Sequence, residues 1–542
     1  MLAAGSHSYP LCLCPFVPKI PISPDKKKTR LSCLNLLFLN YMIASVKSAS
    51  LWGTDALGVV VEAHVQGGLP TFGIVGLPDS SVKESRDRVR SAIINSGLDF
   101  PPKRITVNLA PADVKKEGGI FDLPICVAIL AALGVIPREC THDYLFVGEL
   151  GLDGRIRPVR GVISSAHLAK QTGLKGIVCP SGNVTEACLA GGSVWPVSNI
   201  QEVVEILRGG MPAPMRADNE VKTTASRYPD LAEITGQAMP KRALEIAAAG
   251  THNMLLIGPP GAGKSMLAKR LPSILPPLSR QEVLDCTRIY SAAGHLKRNS
   301  IVTVRPFRSP HHTISDAGLI GGGTIPSPGE VTLSHNGVLF LDELPEFKRS
   351  ALEALRQPLE DGSVTVSRAN TAITFPARFQ FISAMNPCAC GFLGHPRKEC
   401  RCTPSQIAKY KTRVSGPLMD RIDIHVWVDP VEAAHVLNPD IEAKSSLIRQ
   451  RVLDARKIQN QRGVSNARIP DGMLDESCGL DAPSKGLLIA AMDKYSLSMR
   501  GYKRVIKVAR TIADLEDSRA IRTHHIAEAL QYRPELSLPA AL

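Results

Sequence analysis

The sequence contains no apolar run long enough to cross a lipid bilayer, which takes about 20 such residues in a helix. The nearest candidate, LSCLNLLFLNYMIASV, is short and is interrupted by Asn35 and Asn40. A secretory signal peptide fits poorly, because the segment that precedes this run is longer than the short basic region with which signal peptides begin. The chain also shows no internal repeat. We therefore expect a cytoplasmic protein without a membrane partner.

Acidic residues are too few to balance the basic ones. The 542 residues include 64 Lys and Arg against 50 Asp and Glu, which gives a formal net charge of +14. Such an excess favours polyanionic partners but says nothing about the fold, and a protein with surplus surface lysine is an equal alternative. Apolar residues at 44% and charged residues at 21% are typical of a globular protein, and the length allows about three or four domains.

The first 41 residues form a separate segment. They are rich in proline and carry five basic side chains against one acidic one. We interpret residues 1–41 as a disordered extension or as the product of a mis-assigned start, with Met42 as the true initiator.

Three blocks and a linker follow. Residues 42–208 and residues 230–430 both alternate strand-like and helix-like runs, and the second block is predicted to contain a mostly parallel sheet. Residues 209–229, GGMPAPMRADNEVKTTASRYP, have the Pro, Gly and polar composition of a linker. Residues 440–535 have helical patterns. The predicted fold class is therefore a multidomain α/β one that ends in a helical domain.

The most specific motif is NMLLIGPPGAGKS, in which a short buried-strand pattern precedes a phosphate loop and a helix. Glycines let backbone N–H groups wrap a triphosphate at the helix N-terminus. Lys264 brings positive charge to the β- and γ-phosphates, and the Ser265 hydroxyl can bind Mg²⁺. The predicted ATP-binding residues of this loop are Gly258, Pro259, Pro260, Gly261, Ala262, Gly263, Lys264 and Ser265.

Two later strands end in polar residues. GVLFLDELPEF places Asp342 and Glu343 after an apolar strand. Asp342 is predicted to hold Mg²⁺ through water, and Glu343 to polarise the attacking water. FQFISAMN ends at Asn386, which can position water and sense hydrolysis.

Arginines that follow the predicted strands of the ATP site are candidates for contacting the negatively charged phosphates of ATP. Arg421, in SGPLMDRIDIHV, can reach a neighbouring subunit's γ-phosphate as an arginine finger, with a salt bridge to Asp420 or Asp423 as the alternative. In the helical block, Arg500 is the predicted residue that folds back onto the phosphates, and Arg504 is its competitor.

These motifs together resemble an AAA+ ATPase with a helical lid, and FRSPHHTISDAGLIGGGTIPSPGEVTLSHNGVLFLDELPEF resembles the magnesium-chelatase branch. The resemblance implies an added segment around Gly318 to Pro328 and a pore-lining hairpin, here SVTVSRANTAITF, whose alternation supports a hairpin. Arg368 at its tip is the predicted DNA contact, with a solvated turn arginine as the alternative. His311 and His312 are interpreted as structural or interface residues, because adjacent side chains point different ways.

The N-terminal block resembles the proteolytic domain of Lon-type proteases in NLAPADVKKEGGIFDLPICVAILAALG and VGELGLDGRIRPVRGVISSAHLAKQTGLKGIVCP. By that resemblance Ile120 stands where the serine nucleophile belongs and Ile163 where the lysine base belongs. Isoleucine can neither attack a carbonyl nor move a proton. The alternative is that Ser164 or Ser165 is a misaligned substitute, but a serine in the place of the lysine is no base. We expect a Lon-like α+β fold that is not a protease.

The order of these blocks identifies the chain as a member of the YifB/ComM family over about residues 43–535. The resemblance implies a parallel-sheet AAA+ core, a helical lid and a hexameric ring that binds ATP and Mg²⁺. It also implies a DNA helicase that acts on branched or single-stranded DNA in recombination or natural transformation. Two alternatives remain: a magnesium-chelatase-like motor that remodels a protein partner, and an ATP-regulated scaffold.

The thirteen cysteines are expected to be mostly reduced thiols in the cytosol. Four of them, Cys388, Cys390, Cys400 and Cys402, form two Cys-x-Cys pairs in AMNPCACGFLGHPRKECRC. Four thiolates suit a closed structural Zn²⁺ site, although Cys-x-Cys is tighter than the common spacing. His395 is an alternative ligand, and redox switching is an alternative role. We expect a zinc clip in an insertion of the ATPase core.

Overall fold

A computed structural model describes most of the chain. The described residues are 43–113, 115–210, 212–216, 228–323, 326–368, 371–430, 443–495 and 497–533. The predicted extension over residues 1–41, Met42 and residues 217–227 of the predicted linker lie outside them. Within the described ranges, every helix is too short or too polar to traverse a membrane.

The N-terminal region is built on a mixed sheet. Its strands are β1 (Ile43–Trp52), β2 (Asp55–Gln66), β3 (Thr71–Val75), β4 (Arg104–Ala110), β5 (Tyr144–Phe146), β6 (Glu149–Leu150), β7 (Ile156–Arg157), β8 (Gly176–Pro180) and β9 (Val194–Val197). Seven of them form one sheet in the order β3-β4-β2-β1-β5-β8-β9, while β6 and β7 pair separately. Antiparallel pairing of β1 with β2 and parallel pairing of β5 with β8 make this sheet mixed.

Five helices accompany this sheet. They are α1 (Ser80–Asn95), α2 (Asp122–Ala132), α3 (Val162–Gln171), α4 (Val184–Leu189) and α5 (Ile200–Leu207). Every residue of α2 is buried, because its sequence DLPICVAILAA is apolar on all sides after the first position. The buried first residue, Asp122, is bound by the Arg88 guanidinium, whose Nε donates to Asp122 Oδ2 at 2.7 Å.

Part of the predicted linker belongs to this sheet. Met215 and Val194 exchange two backbone hydrogen bonds, of 2.8 and 3.0 Å, and the Trp195 indole donates to the Pro212 carbonyl at 3.1 Å. Composition alone placed the linker from residue 209, but these contacts attach residues 212–216 to the edge strand β9.

The second region contains a parallel sheet. Its strands are β10 (Met254–Ile257), β11 (Phe307–Arg308), β12 (Gly321–Gly322), β13 (Ser327–Pro328), β14 (Val338–Leu341), β15 (Ser363–Arg368), β16 (Thr371–Pro376), β17 (Gln380–Met385) and β18 (Ile424–Trp427). Five form a sheet in the order β11-β14-β17-β10-β18, and every neighbouring pair is parallel. This confirms the predicted parallel sheet.

The remaining strands form two antiparallel hairpins. One is β12 with β13, inside the predicted added segment. The other is β15 with β16, which pair in register from Ser363 and Pro376 to Arg368 and Thr371. Arg368 is the last residue of β15, and its side chain lies outside the described part of the structure. The hairpins touch, because a Cβ built on Gly321 would lie 3.4 Å from Val366 Cγ2.

Helices cover the parallel sheet and continue into a helical C-terminal region, which confirms the predicted fold class. They are α6 (Ala238–Gly250), α7 (Lys264–Ile274), α8 (Arg280–Ala292), α9 (Asp316–Ile320), α10 (Glu330–Leu333), α11 (Arg349–Ala354), α12 (Arg356–Asp361), α13 (Pro404–Lys411), α14 (Gly416–Met419), α15 (Ser445–Gln461), α16 (Leu474–Ser477), α17 (Ala482–Tyr495), α18 (Met499–Leu515) and α19 (Thr523–Gln531). In α18, Val505, Ala509 and Ile512 recur at helical spacing and are buried.

The N-terminal region packs onto the second region through α8. Val283 and Cys286 of α8 belong to the same apolar core as the N-terminal sheet. At the end of the helix, the Ser291 hydroxyl donates to buried Glu186 at 2.5 Å and accepts from the Gly161 N–H at 3.0 Å. Burial raises the pKa of Glu186, so this contact joins the two regions through a largely dehydrated carboxyl group.

Candidate active site

The phosphate loop lies at the carboxyl end of β10 and leads into α7. Gly258 is required there, because a Cβ on it would lie 2.2 Å from the Val428 carbonyl oxygen. Gly261 and Gly263 have φ of +80° and +92°, a conformation that glycine adopts without strain. Among the described residues, none lies within 4 Å of a Cβ added to either glycine. The loop therefore forms an open cradle at a helix N-terminus, which fits the phosphates of ATP.

Lys264 is held inside this loop. Its Nζ donates to the carbonyl oxygens of Gly258 at 2.6 Å and Pro259 at 2.9 Å, and to Asn386 Oδ1 at 3.1 Å. Burial lowers the pKa of the ammonium group, while Asp342 and Glu343 oppose that shift. The contact with Asn386 arises because β17 is the direct neighbour of β10.

Ser265 and Asp342 come together as the sequence predicts. Ser265 Oγ donates to Asp342 Oδ2 at 2.5 Å. A hydroxyl oxygen and a carboxylate oxygen are ligands that Mg²⁺ prefers. The donor set and the open cradle therefore fit ATP with Mg²⁺, which would supply charge stabilisation at the transferred phosphate.

Glu343 follows Asp342 in a left-handed conformation with φ of +52°. Its side chain is 57% exposed, and its Oε2 lies 3.4 Å from His312 Nδ1. The His312 ring also lies 4.1 Å from the His311 ring and edge-on to Phe347. The sequence pattern favours a structural or interface role for His312 and does not predict its place at this site. His312 follows β11, the parallel neighbour of β14, so it meets Glu343 where the two strands end.

The predicted arginines lie at the amino edge of the sheet, where the parallel strands begin, whereas the phosphate loop lies at the carboxyl edge, where they end. Arg421 binds Glu360, rather than Asp420 or Asp423 as the alternative to the arginine finger had it, and donates to the Pro417 carbonyl at 2.7 Å. Arg500 Nη1 lies 3.9 Å from Asp420 Oδ2.

Arg421, Arg500 and Arg504 line one cavity together with Thr251 and Asn253, which precede β10. The phosphate loop follows β10, a strand of four residues that spans about 13 Å. The sequence predicts that Arg500, or its competitor Arg504, folds back onto the phosphates. The structure brings neither of them to the phosphate loop of its own chain, and Arg504 instead binds Asp423 at 2.5 Å.

The four predicted thiol ligands form a tight cluster. Cys388 Sγ lies 3.4 Å from Cys390 Sγ and 3.6 Å from Cys400 Sγ, and all four sulfur atoms, with that of Cys402, lie within 4.8 Å of one another. No disulfide forms among the cysteines that the structure describes. His395 is not part of the group, since its Nδ1 accepts the backbone N–H groups two and three residues later at 2.9 and 3.0 Å.

The loop that carries these thiols packs on the phosphate loop. A Cβ built on Gly391 would lie 2.7 Å from Pro260 Cδ and 3.8 Å from Asn386 Cγ. The loop that carries the thiol cluster therefore lies next to Pro260 and Asn386, two residues of the predicted ATP site.

Three family models of the magnesium chelatase group match the chain. "Magnesium chelatase, subunit ChlI" matches residues 230–436, "Subunit ChlI of Mg-chelatase" matches residues 61–183, and "Magnesium chelatase, subunit ChlI C-terminal" matches residues 442–533. Competence protein ComM of Haemophilus influenzae is 44% identical over 504 residues, which cover 92% of this chain and 98% of that protein. The uncharacterized protein YifB of Escherichia coli is 42% identical over 494 residues, or 91% of this chain and 97% of its own length.

This chain belongs to the YifB/ComM family. The predicted family is thereby confirmed, and membership makes the chain an AAA+ ATPase of the magnesium-chelatase type, with ATP and Mg²⁺ as its implied cofactors. The Lon-like part of the assignment has its own support. Archaeal Lon protease of Methanocaldococcus jannaschii is 28% identical over 119 residues, which cover 21% of this chain and 18% of that protein.

The two positions that the Lon resemblance assigns to the nucleophile and the base lie in the core of this member of the YifB/ComM family. Ile120 and Ile163 are buried. The hydroxyl of Ser164 donates to the Thr54 carbonyl at 2.6 Å, and that of Ser165 to the Gly161 carbonyl at 3.2 Å. Both serines are buried as well, so their hydroxyls serve internal hydrogen bonds.

Proposed function

We propose that this protein is a ring-forming, ATP-driven DNA translocase or helicase that acts on branched or single-stranded DNA. The observation that carries the proposal is the division of the ATP machinery between two edges of one sheet. The phosphate loop, Asp342 and Glu343 lie at the carboxyl edge, whereas Arg421 and Arg500 lie at the amino edge. An ATP site that includes both sets needs two subunits.

The hydrolytic step uses groups at the carboxyl edge. Glu343 accepts a proton from the attacking water, Lys264 offsets the negative charge of the transferred phosphoryl group, and Asn386 orients the water. Ser265 and Asp342 hold Mg²⁺. Glu343 is open to solvent in the isolated chain, so closure by a neighbouring subunit would exclude water around it.

Head-to-tail contact between subunits would bring the carboxyl edge of one subunit's sheet to the amino edge of the next. A heterologous interface, in which one edge meets the opposite edge of the next copy, closes into a ring when the rotation fits. Arg421 and Arg500 of one subunit would then face the phosphates bound to the next, and each hydrolysis event would be sensed across the interface. A hexamer is the expected number of subunits from family resemblance.

DNA is the proposed polymer in the ring. The net charge of +14 favours a polyanion, and the β15–β16 hairpin is the predicted pore element. Val364 and Phe375 of this hairpin are buried, which fixes its base to the core. Contacts to phosphates carry affinity without sequence choice and depend strongly on salt.

The test is ATP turnover titrated with single-stranded, duplex and four-way-junction DNA. We expect DNA to stimulate turnover, and Lys264→Ala and Glu343→Gln to reduce it by at least about 100-fold, since each removes a group that acts in the transition state. Equal turnover with and without every DNA would contradict the translocase.

A magnesium-chelatase-like motor is the second candidate, because the matching family models carry that description. It predicts turnover stimulated by a protein partner and indifferent to DNA. Absence of ATP turnover under all conditions would instead favour an ATP-regulated scaffold. The remaining proposals are a Lon-like domain without peptidase activity and a cytoplasmic location, where ATP is supplied.

We also infer that Cys388, Cys390, Cys400 and Cys402 hold one structural Zn²⁺. Tetrahedral Zn²⁺ with four thiolates at about 2.3 Å separates the sulfur atoms by about 3.8 Å. Among Cys388, Cys390 and Cys400 the sulfur atoms are 3.4 to 3.6 Å apart, close to that value, and Cys402 Sγ lies within 4.8 Å of all three. Four thiolates leave no open coordination position, so the ion would stiffen the loop behind Pro260 and Asn386.

Metal analysis of the purified protein tests the zinc site. We expect about one zinc per chain, lost in Cys390→Ser and retained in Cys478→Ser, which alters a buried cysteine outside the cluster. Freely titratable thiols and negligible zinc would contradict the site.

A further inference from the structure

A second cavity of about 480 Å³ lies on the far side of the parallel sheet from the phosphate loop. Its floor is the amino edge of strands β10, β14 and β17, and its other wall is the lid helix α15. Four arginines line it, namely Arg305, Arg378, Arg456 and Arg468, with Glu282 as the acidic member of the lining.

One of the four arginines is already neutralised. Arg305 makes two hydrogen bonds to the Glu282 carboxylate, of 3.0 and 3.2 Å, and donates to the carbonyls of Pro276 and Asn336 at 2.6 Å each. The N-cap Ser279 N–H also binds Glu282. This carboxylate is thereby bound to Arg305 and to the helix N-cap, and among the described residues no hydrogen bond joins it to the other three guanidinium groups.

The other three arginines carry uncompensated charge. Within the described part of the chain, no acidic side chain pairs with Arg378, Arg456 or Arg468. Arg456 donates to the Ala248 carbonyl at 2.8 Å, but its Nε is buried and has no acceptor among the described residues. Arg378 and Arg468 keep solvent-accessible surface.

Burial and the neighbouring arginines lower the pKa values of guanidinium groups in the cavity. Burial lowers the pKa of Arg456 to about 9, and Arg305 and Arg468 lower it further, against Glu282. Burial and then Arg378 lower the pKa of Arg468. A guanidinium group stays protonated throughout the physiological range, so the cavity holds this positive charge instead of losing it.

We propose that this cavity is a binding site for a phosphate group, supplied either as free phosphate or by a nucleic-acid backbone. Planar guanidinium groups recognise phosphate oxygens through paired, charge-assisted hydrogen bonds. A phosphate would neutralise the unpaired guanidinium groups that line the cavity. The site is separate from the phosphate loop, and it does not depend on the translocase proposal.

The cavity is also next to the arginine edge. Arg378 and Arg468 line both this cavity and the one that holds Arg421 and Arg500. Phosphate bound here therefore lies beside the proposed subunit interface. An acidic side chain of a neighbouring subunit is the competing occupant, and the experiment distinguishes it.

The experiment measures the melting temperature of the full chain in the Lys264→Ala background, which weakens phosphate binding at the ATP site. Inorganic phosphate is titrated against chloride at constant ionic strength. We expect a saturable rise in melting temperature with phosphate. Arg468→Gln, whose side chain is accessible and unpaired, should weaken the apparent affinity by about tenfold, as expected for loss of one charged hydrogen-bonding group.

Two further variants complete the design. Arg456→Gln combined with Arg468→Gln should abolish the phosphate response and raise the melting temperature without phosphate, because it removes like charges. Arg86→Gln, which removes one positive charge as Arg468→Gln does but at an exposed side chain in α1, should leave the response intact. A phosphate response that persists in the double variant, or that chloride reproduces, would overturn the proposal.

Competition separates the two sources of phosphate. A short single-stranded oligonucleotide that displaces phosphate from the parent, but has no effect on the double variant, identifies the nucleic-acid backbone. Phosphate binding without such competition identifies free phosphate. If neither ligand binds and the double variant instead dissociates the oligomer, the cavity receives an acidic side chain and the phosphate site is refuted.

Discussion

At the scale of single residues, the ATP site consists of side chains that become neighbours through strand order. Lys264 contacts Asn386 because β10 pairs with β17, and Asp342 reaches Ser265 from β14 on the other side of β17. The motifs predicted each of these residues and its type. His312 was missed at this site, because nothing in the local sequence says which strand lies beside β14.

A buried histidine gives a residue-scale prediction of pH dependence. His335 accepts the Arg378 N–H at 3.0 Å, and burial, with Arg378 and Arg468, lowers its pKa to about 4. A histidine with a depressed folded pKa binds more protons when unfolded, so stability is lost as pH falls from 6.5 towards 4. The loss is at most about 3.5 kcal/mol, since one pKa unit corresponds to about 1.4 kcal/mol.

Denaturant unfolding of the native chain and of His335→Gln between pH 4 and pH 7 tests this contribution. The variant should be less stable at neutral pH, because it repacks a buried site, but its stability should fall less steeply below pH 6.5. Parallel pH profiles for the two proteins would show that His335 is not responsible.

At the scale of elements, two segments that connect strands of the parallel sheet, the thiol loop and the β15–β16 hairpin, pack on other segments of the core. The thiol loop after β17 is packed on the phosphate loop, and the β15–β16 hairpin is packed on the β12–β13 hairpin. Alternating polarity predicted the hairpin, and the Cys-x-Cys pairs predicted the cluster. The contacts of both with their neighbours follow from packing between segments far apart in the chain.

The hairpin yields an element-scale prediction. Arg368→Ala should reduce DNA-stimulated ATP turnover and lower the slope of DNA affinity against salt by about one, as for loss of one phosphate contact. Turnover without DNA should stay unchanged. Lys409→Ala, an exposed basic residue in α13, is the matched control. If Arg368→Ala and Lys409→Ala behave alike, Arg368 does not contact DNA.

At the scale of the whole molecule, the decisive feature is that the two predicted halves of an ATP site do not meet within one chain. Arg421 and Arg500 share a cavity at the amino edge of the sheet, and the phosphate loop is at the carboxyl edge. The sequence did not indicate that Arg500 lies at the amino edge. The position of the helical lid relative to the core depends on tertiary packing of α15 and α18 against α6.

Mixed rings test that division. Lys264→Ala and Arg421→Ala should each be nearly inactive alone, because every interface then lacks one part. Mixed in equal amounts and allowed to exchange subunits, they should recover about a quarter of native turnover, the fraction of interfaces with both parts intact at random mixing. Activity that stays at the level of the separate variants would place Arg421 and the phosphate loop in the same functional site of one chain.

The sequence by itself determined the local chemistry of this protein. The phosphate loop, the acidic strand end and the paired cysteines are all set by residue type at short spacing, where the chain has few alternatives. Tertiary structure decided which of these groups share a site. It joined His312 to Glu343, placed Arg500 with Arg421, and brought Arg305, Arg378, Arg456 and Arg468 together around one cavity. Such contacts join residues far apart in sequence, and they depend on strand order and helix packing that no short pattern encodes.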